Sequence, residues 1–87
     1  MTAQQTSIDG FKALNAHSIG ARQKQVLDTL KNYGGLSNRE ISLISRIPIN
    51  VVTPRVLELR KMGIIIPLGT KKDPQTGFHV NVWGAIV

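Results

Sequence analysis

LSNREISLISRIPINVVTPRVLELRKMG, running from Leu36 to Gly63, decides how this chain folds. Ser37-Asn38-Arg39-Glu40 sets a hydroxyl and a carboxylate three residues apart. That is a capping box: the Ser37 oxygen accepts the free N–H near Glu40, and Glu40 reaches back to Ser37. Ile41 and Ile44 then share one face of a short helix, with Leu43 on the neighbouring strip. Ser45-Arg46-Ile47-Pro48 breaks the period, because Pro48 disfavours the α conformation at Ile47. Asn50 is placed to cap a second helix of about 12 residues, with Pro54 in its first turn, where a missing N–H costs least. Val52, Val56 and Leu59 recur at i, i+4 and i+7 and mark its inward stripe. Gly63 supplies the stop, and Arg60 and Lys61 in the last turn suit the helix dipole.

Outward from this stretch, the N-terminal side predicts a supporting helix. Ser18 is read as its cap and Tyr33 as its end, with Ile19, Val26, Leu27, Leu30 and Tyr33 on its apolar face. Gly34-Gly35 provides the left-handed stop. Residues 1–17 read as a flexible arm with a short helical pattern, in which Ile8, Phe11 and Leu14 recur at threes. Those side chains are expected to cover the core or a second copy of the chain. Residues 18–87 form the domain. After Gly63 the period changes: Ile64 to Leu68 is a β-branched run that Pro67 marks as an edge strand. Gly69 to Gly77 is a turn-rich loop carrying Lys71 and Lys72, and Phe78 to Trp83 is an alternating return strand with Phe78, Val80 and Val82 on one face. A lone hairpin is marginal, so this one must lean on the helices, with Trp83 as its anchor.

With 87 residues there is room for one domain, and a formal net charge of +6 favours anionic partners. The surplus is local. Residues 1–19 hold one Asp and one Lys, whereas residues 37–72 hold seven Lys/Arg against two Glu. The absence of cysteine excludes disulfides and thiolate metal sites. The polar N-terminus lacks a signal-peptide core, and the longest apolar run, Gly63 to Leu68, is too short to span a bilayer. A cytoplasmic protein without a membrane partner is expected. Asp9, Asp28, Glu40, Glu58 and Asp73 are scattered singly, and neither His17 nor His79 has a ligand or base partner, so no catalysis, metal or cofactor is expected.

Three helices followed by a β-hairpin make an α+β layout. From about Ser18 to Trp83 the chain resembles the winged helix-turn-helix DNA-binding domains of bacterial and phage regulators. The matching segments are LSNREI, PINVVTPRVLELRKMGII and FHVNVW. This resemblance implies a small transcriptional regulator that binds double-stranded DNA sequence-specifically. Its third helix would enter the major groove, and Lys71 and Lys72 on the wing would meet the adjacent backbone or minor groove. With Val52, Val56 and Leu59 inward, Asn50, Val51, Thr53 and Pro54 stand at the groove end of that helix. Asn50 suits an adenine edge as well as a cap, Thr53 a base or phosphate, and Val51 or Pro54 a thymine methyl. Arg55 can reach guanine or phosphate, and Lys61 phosphate. The Ser37-Asn38-Arg39 corner is either a phosphate site or an ordinary cap. Thr76 at the wing tip and His79 complete the candidates. The alternative is a winged-helix interaction module docking on an acidic protein, which the outward Leu57 and Glu58 favour. A homodimer would use Ile8-Phe11-Leu14 or Ala85-Ile86-Val87.

Overall fold

In the computed structural model, which describes residues 19–86, helices α1 (Ala21–Tyr33), α2 (Asn38–Ser45) and α3 (Ile49–Lys61) precede strands β1 (Ile65–Lys72) and β2 (His79–Ala85). The expectations for the arm at 1–17 and for Ser18 lie outside the described residues. The cap of α1 is corrected to Gly20, whose N–H donates to Gln23 Oε1 at 2.9 Å. Val26, Leu27 and Leu30 are buried as the periodicity predicts, but Tyr33 is 64% exposed, because α1 ends there and the core lies behind it.

The α2 box forms as read: Ser37 Oγ accepts from the Glu40 N–H at 3.3 Å, and the Ser37 N–H donates to Glu40 Oε1 at 2.9 Å. Ile41 is fully buried, whereas Ile44 stays 38% exposed at the margin of the core. Arg46 ends α2 in the left-handed region at φ 63°. Side-chain hydrogen bonds hold this turn: Ser45 Oγ donates to the Ile41 carbonyl, Ser42 Oγ donates to the Ile47 carbonyl, and the Ile47 N–H donates to Ser45 Oγ. The turn thereby drives Ile47 into the core, where it is buried.

The start of α3 differs from expectation. Pro48 is its N-cap, and the Pro48 carbonyl accepts from Val51 and Val52. Asn50 is therefore inside the first turn, exposed, and not a cap. Proline serves here because its fixed φ and extended ψ turn the chain into the helix without a side-chain acceptor. The earlier start also moves Pro54 into the second turn, where its missing N–H leaves the Asn50 carbonyl without a helical donor. Val52, Val56 and Leu59 are buried in the expected phase. The end is a Schellman motif: Gly63, at φ 75°, donates to the Arg60 carbonyl and Ile64 to that of Leu59. Ile64 and Leu59 are both buried against the same core.

The two strands pair antiparallel, from Ile65 opposite Ala85 to Lys72 opposite His79, with a bulge between Pro67 and Gly69. The hairpin is longer than predicted, so Lys71 and Lys72 belong to β1 and not to a loop. Phe78 lies outside β2 and is exposed, while Val80 and Val82 are half-buried. On its other side β2 meets Leu36, which exchanges both backbone hydrogen bonds with Trp83 at 3.1 and 2.8 Å. Pro67 faces Trp83 from β1. Since both Trp83 backbone groups are spent on Leu36, proline costs no ladder bond there. Gly84 leaves room for Leu68: a Cβ at this position would come within 2.7 Å of Leu68 Cδ1, and this exposed side chain would have to turn to admit it.

Leu59→Ala is expected to destabilise the domain by about 2–5 kcal/mol, because it deletes a fully buried side chain from the stripe that joins α3 to the core. A denaturant melt measures it, and wild-type stability would mean that the stripe does not carry the packing.

Candidate nucleic-acid interface

The first turn of α2 faces the hairpin. Three consecutive side chains reach across: Asn38 Oδ1 accepts from the Trp83 indole N–H at 2.9 Å, Arg39 Nε donates to Asp73 Oδ2 at 3.0 Å, and Glu40 Oε2 accepts from Lys71 Nζ. Between this turn, the start of α3 and β2 lies an open groove of about 440 Å³. Ser37, Asn38, Arg39, Ile49, Thr53, His79, Val80 and Asn81 line it, with Asp73 and Trp83. Four predicted site residues, Ser37, Asn38, Arg39 and Thr53, thus come together there with His79. Ile49 and Asn81 join them, and the sequence reading did not single these out. The register of β2 decides Asn81, and no local pattern marks it.

The remaining candidates are placed elsewhere. Asn50, Leu57, Arg60 and Lys61 are exposed on α3, and Leu57, at 54%, is the most open apolar side chain of that helix. Val51 is half-buried and packs on the core. Pro54 is half-buried. Arg55 lies beside the start of α1, held bidentately by Glu58 at 2.7 and 2.8 Å, and Gln23 Nε2 on α1 donates to the same carboxylate. Ser37 is buried with its hydroxyl spent on the cap. Lys72 is exposed on β1, and Thr76 Oγ1 accepts from the Phe78 N–H in the turn.

The electrostatics follow from these pairings. Among the described residues every carboxylate is ion-paired: Asp28 with Lys24, Glu40 with Lys71, Glu58 with Arg55 and Asp73 with Arg39. Arg22, Lys31, Arg46, Arg60, Lys61 and Lys72 stand outside those pairs. The backbone N–H of Gln75 and the Arg39 guanidinium hold the Asp73 carboxyl below its usual range. Partial burial pushes Glu40 up, but hydrogen bonds from Lys71 and Ser37 outweigh it and leave the group lowered. Among the described residues no cluster of His, Asp or Glu could hold a metal ion, and no helix is long and apolar enough to cross a membrane.

This architecture, a three-helix unit with a β-hairpin hung beside its third helix, is a winged helix. A family profile described as winged helix-turn-helix DNA-binding matches residues 21–66, and the chain belongs to that family. The fold is similar to that of a solved structure, the transcriptional regulator PA4135, at a TM-score of 0.60 and 19% identity. The match covers 98% of this chain and 65% of that one, so the chain spans about two thirds of the regulator's length. A search of curated protein sequences gave no match.

The lowered carboxylates, Glu40, Asp73 and also Glu58, which Arg55 and Gln23 hold down by hydrogen bonds, give the domain an acid limit. Their contribution to stability is fully present above the ordinary carboxylate pKa of about 4 and is lost as the pH falls through their lower folded-state values. Melting temperatures taken from pH 7 downward should therefore hold until about pH 4 and then drop. Asp73→Asn should flatten that drop, and an identical acid profile in the variant would remove Asp73 from the cause.

Proposed function

We propose that this chain is a sequence-specific, double-stranded DNA-binding transcriptional regulator of a bacterial or phage-infected cytoplasm. The third helix, α3, enters the major groove with Asn50, Thr53 and Leu57 toward the bases. Asn50 offers its amide to an adenine edge, and Leu57 and Pro54 suit thymine methyls. Arg39, with Asn38 beside it, and Lys61 meet phosphates, as most protein–DNA hydrogen bonds do. The wing lies on the adjacent backbone or minor groove, with Lys72 as its leading cation and Thr76 and His79 nearby.

The observation that carries this reading is the groove between α3 and β2. It is open and polar at its rim, and the carboxylates nearest to it, Glu40 and Asp73, are already neutralised by Lys71 and Arg39. A phosphate backbone approaching that face meets no bare acid, and Lys72, which stands opposite His79 in the hairpin and outside the ion pairs, is the cation beside it. Arg55 is assigned no DNA contact as its first role, because Glu58 already takes the Nε–Nη2 edge of its guanidinium in a bidentate pair. One observation favours the second reading, docking on an acidic protein: Leu57 stands 54% exposed in the middle of the outward face. Binding as a homodimer on an inverted repeat remains part of the proposal, with the exposed Ile86 near the C-terminus as a contact.

Selection from randomised duplex DNA followed by competition against single-base variants tests this. Because Pro48 and not Asn50 caps α3, Asn50→Ala probes base reading without removing a cap. Asn50→Ala should change preference at a particular base pair by about 1–3 kcal/mol, the range of a bidentate contact, while non-specific affinity holds. Thr53→Ala should likewise change the ranking of sequences. Lys72→Ala should lower the slope of log affinity against log salt by about 1. Lys71→Ala should lower it less, since Glu40 already holds that ammonium. If no duplex is preferred over another, docking on an acidic partner becomes the better reading.

A further inference from the structure

The acidic residue at the wing tip stands in the wrong place for a protein that attracts phosphate. Asp73 lies between the two cationic strand residues Lys71-Lys72 and the turn, yet it is only 6% exposed. Both of its carboxylate oxygens are used: Oδ1 accepts from the Gln75 N–H at 2.8 Å, and Oδ2 from Arg39 Nε at 3.0 Å. Its backbone is used as well. The Asp73 N–H donates to the Phe78 carbonyl at 2.8 Å, and the Asp73 carbonyl accepts from the Gly77 N–H at 2.7 Å. One residue therefore closes the turn at the tip and ties that tip to the first turn of α2, 34 positions earlier in the chain.

Resting on the DNA-binding reading above, we propose that Asp73 is a positioning residue for DNA binding, fixing the wing tip against α2 so that Lys72 and the groove wall meet the duplex already in place. The root of the hairpin is held by Leu36 and Trp83, and the far end of its ladder by the Lys71–Glu40 pair. The tip has Asp73. Without it the last residues of the hairpin must be ordered when DNA binds, and that ordering is subtracted from affinity. The side-chain entropy of one or two freed long side chains corresponds to about a three- to tenfold loss.

This inference makes a prediction of inverted sign. Removing a negative charge from a DNA-facing surface ordinarily tightens binding by Coulomb attraction. Here Asp73→Asn should weaken it three- to tenfold. The measurement is fluorescence anisotropy of the full chain with a labelled mixed-sequence duplex over a range of salt. Asp28→Asn, which removes an equal charge from α1, serves as the control and should bind as wild type or slightly tighter. The salt slope of Asp73→Asn should stay that of wild type, because the phosphates contacted in the final complex are the same; a direct phosphate contact would change it by about 1. Asp73→Glu keeps the charge and shifts the carboxylate, so a loss of affinity there cannot be Coulombic, and it also covers the case in which the amide variant does not fold. Amide relaxation of residues 73–79 should show a loosened tip in both variants while α1–α3 keep their wild-type behaviour. If Asp73→Asn and Asp73→Glu bind as tightly as wild type or tighter, the positioning role is overturned alone. If the wild type binds no duplex at all, this role falls together with the reading on which it rests.

Discussion

The backbone exchange between Leu36 and Trp83 is the joint on which the rest of the molecule depends. A two-stranded hairpin does not hold itself in water, so the wing needs a third partner. Leu36 provides it just before the cap of α2, and the Trp83 indole adds a hydrogen bond to Asn38 two residues further on. The same few atoms therefore close the sheet, seat the only tryptophan at the margin of the core and set the first turn of α2 beside the wing. The groove between wing and α3 is a consequence of that joint.

Charge is distributed by the same geometry. A chain with a net charge of +6 does not present its cations evenly. The carboxylates of the described residues draw Lys24, Arg39, Arg55 and Lys71 into pairs. Apart from Arg39–Asp73, whose carboxylate is buried, these pairs are open to solvent, and such pairs contribute little to stability, typically below about 1 kcal/mol. Their effect is on aim: Arg55 is turned toward α1, Arg39 toward the wing, and the positive field is left to residues such as Lys61 and Lys72. The winged-helix family accounts for the shape, and these pairings set which cations are left outside them.

Local patterns in the sequence carried much of the fold. The Ser37–Glu40 box, the Val52-Val56-Leu59 stripe, the Gly63 stop and the change of period after it all describe interactions within a few residues, and the structure has each of them. The start of α3 departs from the local pattern: Asn is a strong cap in general, but Pro48 in extended conformation makes that cap unnecessary. The hairpin was read too short because Gly69 and the lysines after it look like loop, and a bulge at Leu68 lets the ladder continue past them.

By itself, then, the sequence determined the three helices, the hairpin and its basic character, since helix periodicity, capping and β-propensity act over short stretches of chain. Only the tertiary structure decided which polar side chains are available. Asn38, Arg39, Arg55 and Lys71 all look free in the sequence, and each is engaged by a neighbouring group: Trp83, Asp73, Glu58 and Glu40. Several of those partners lie more than thirty positions away, as Asp73 does from Arg39 and Lys71 from Glu40. Hydrogen bonds and ion pairs are made at about 3 Å, and separation along the chain says nothing about distance at that scale until the chain has folded.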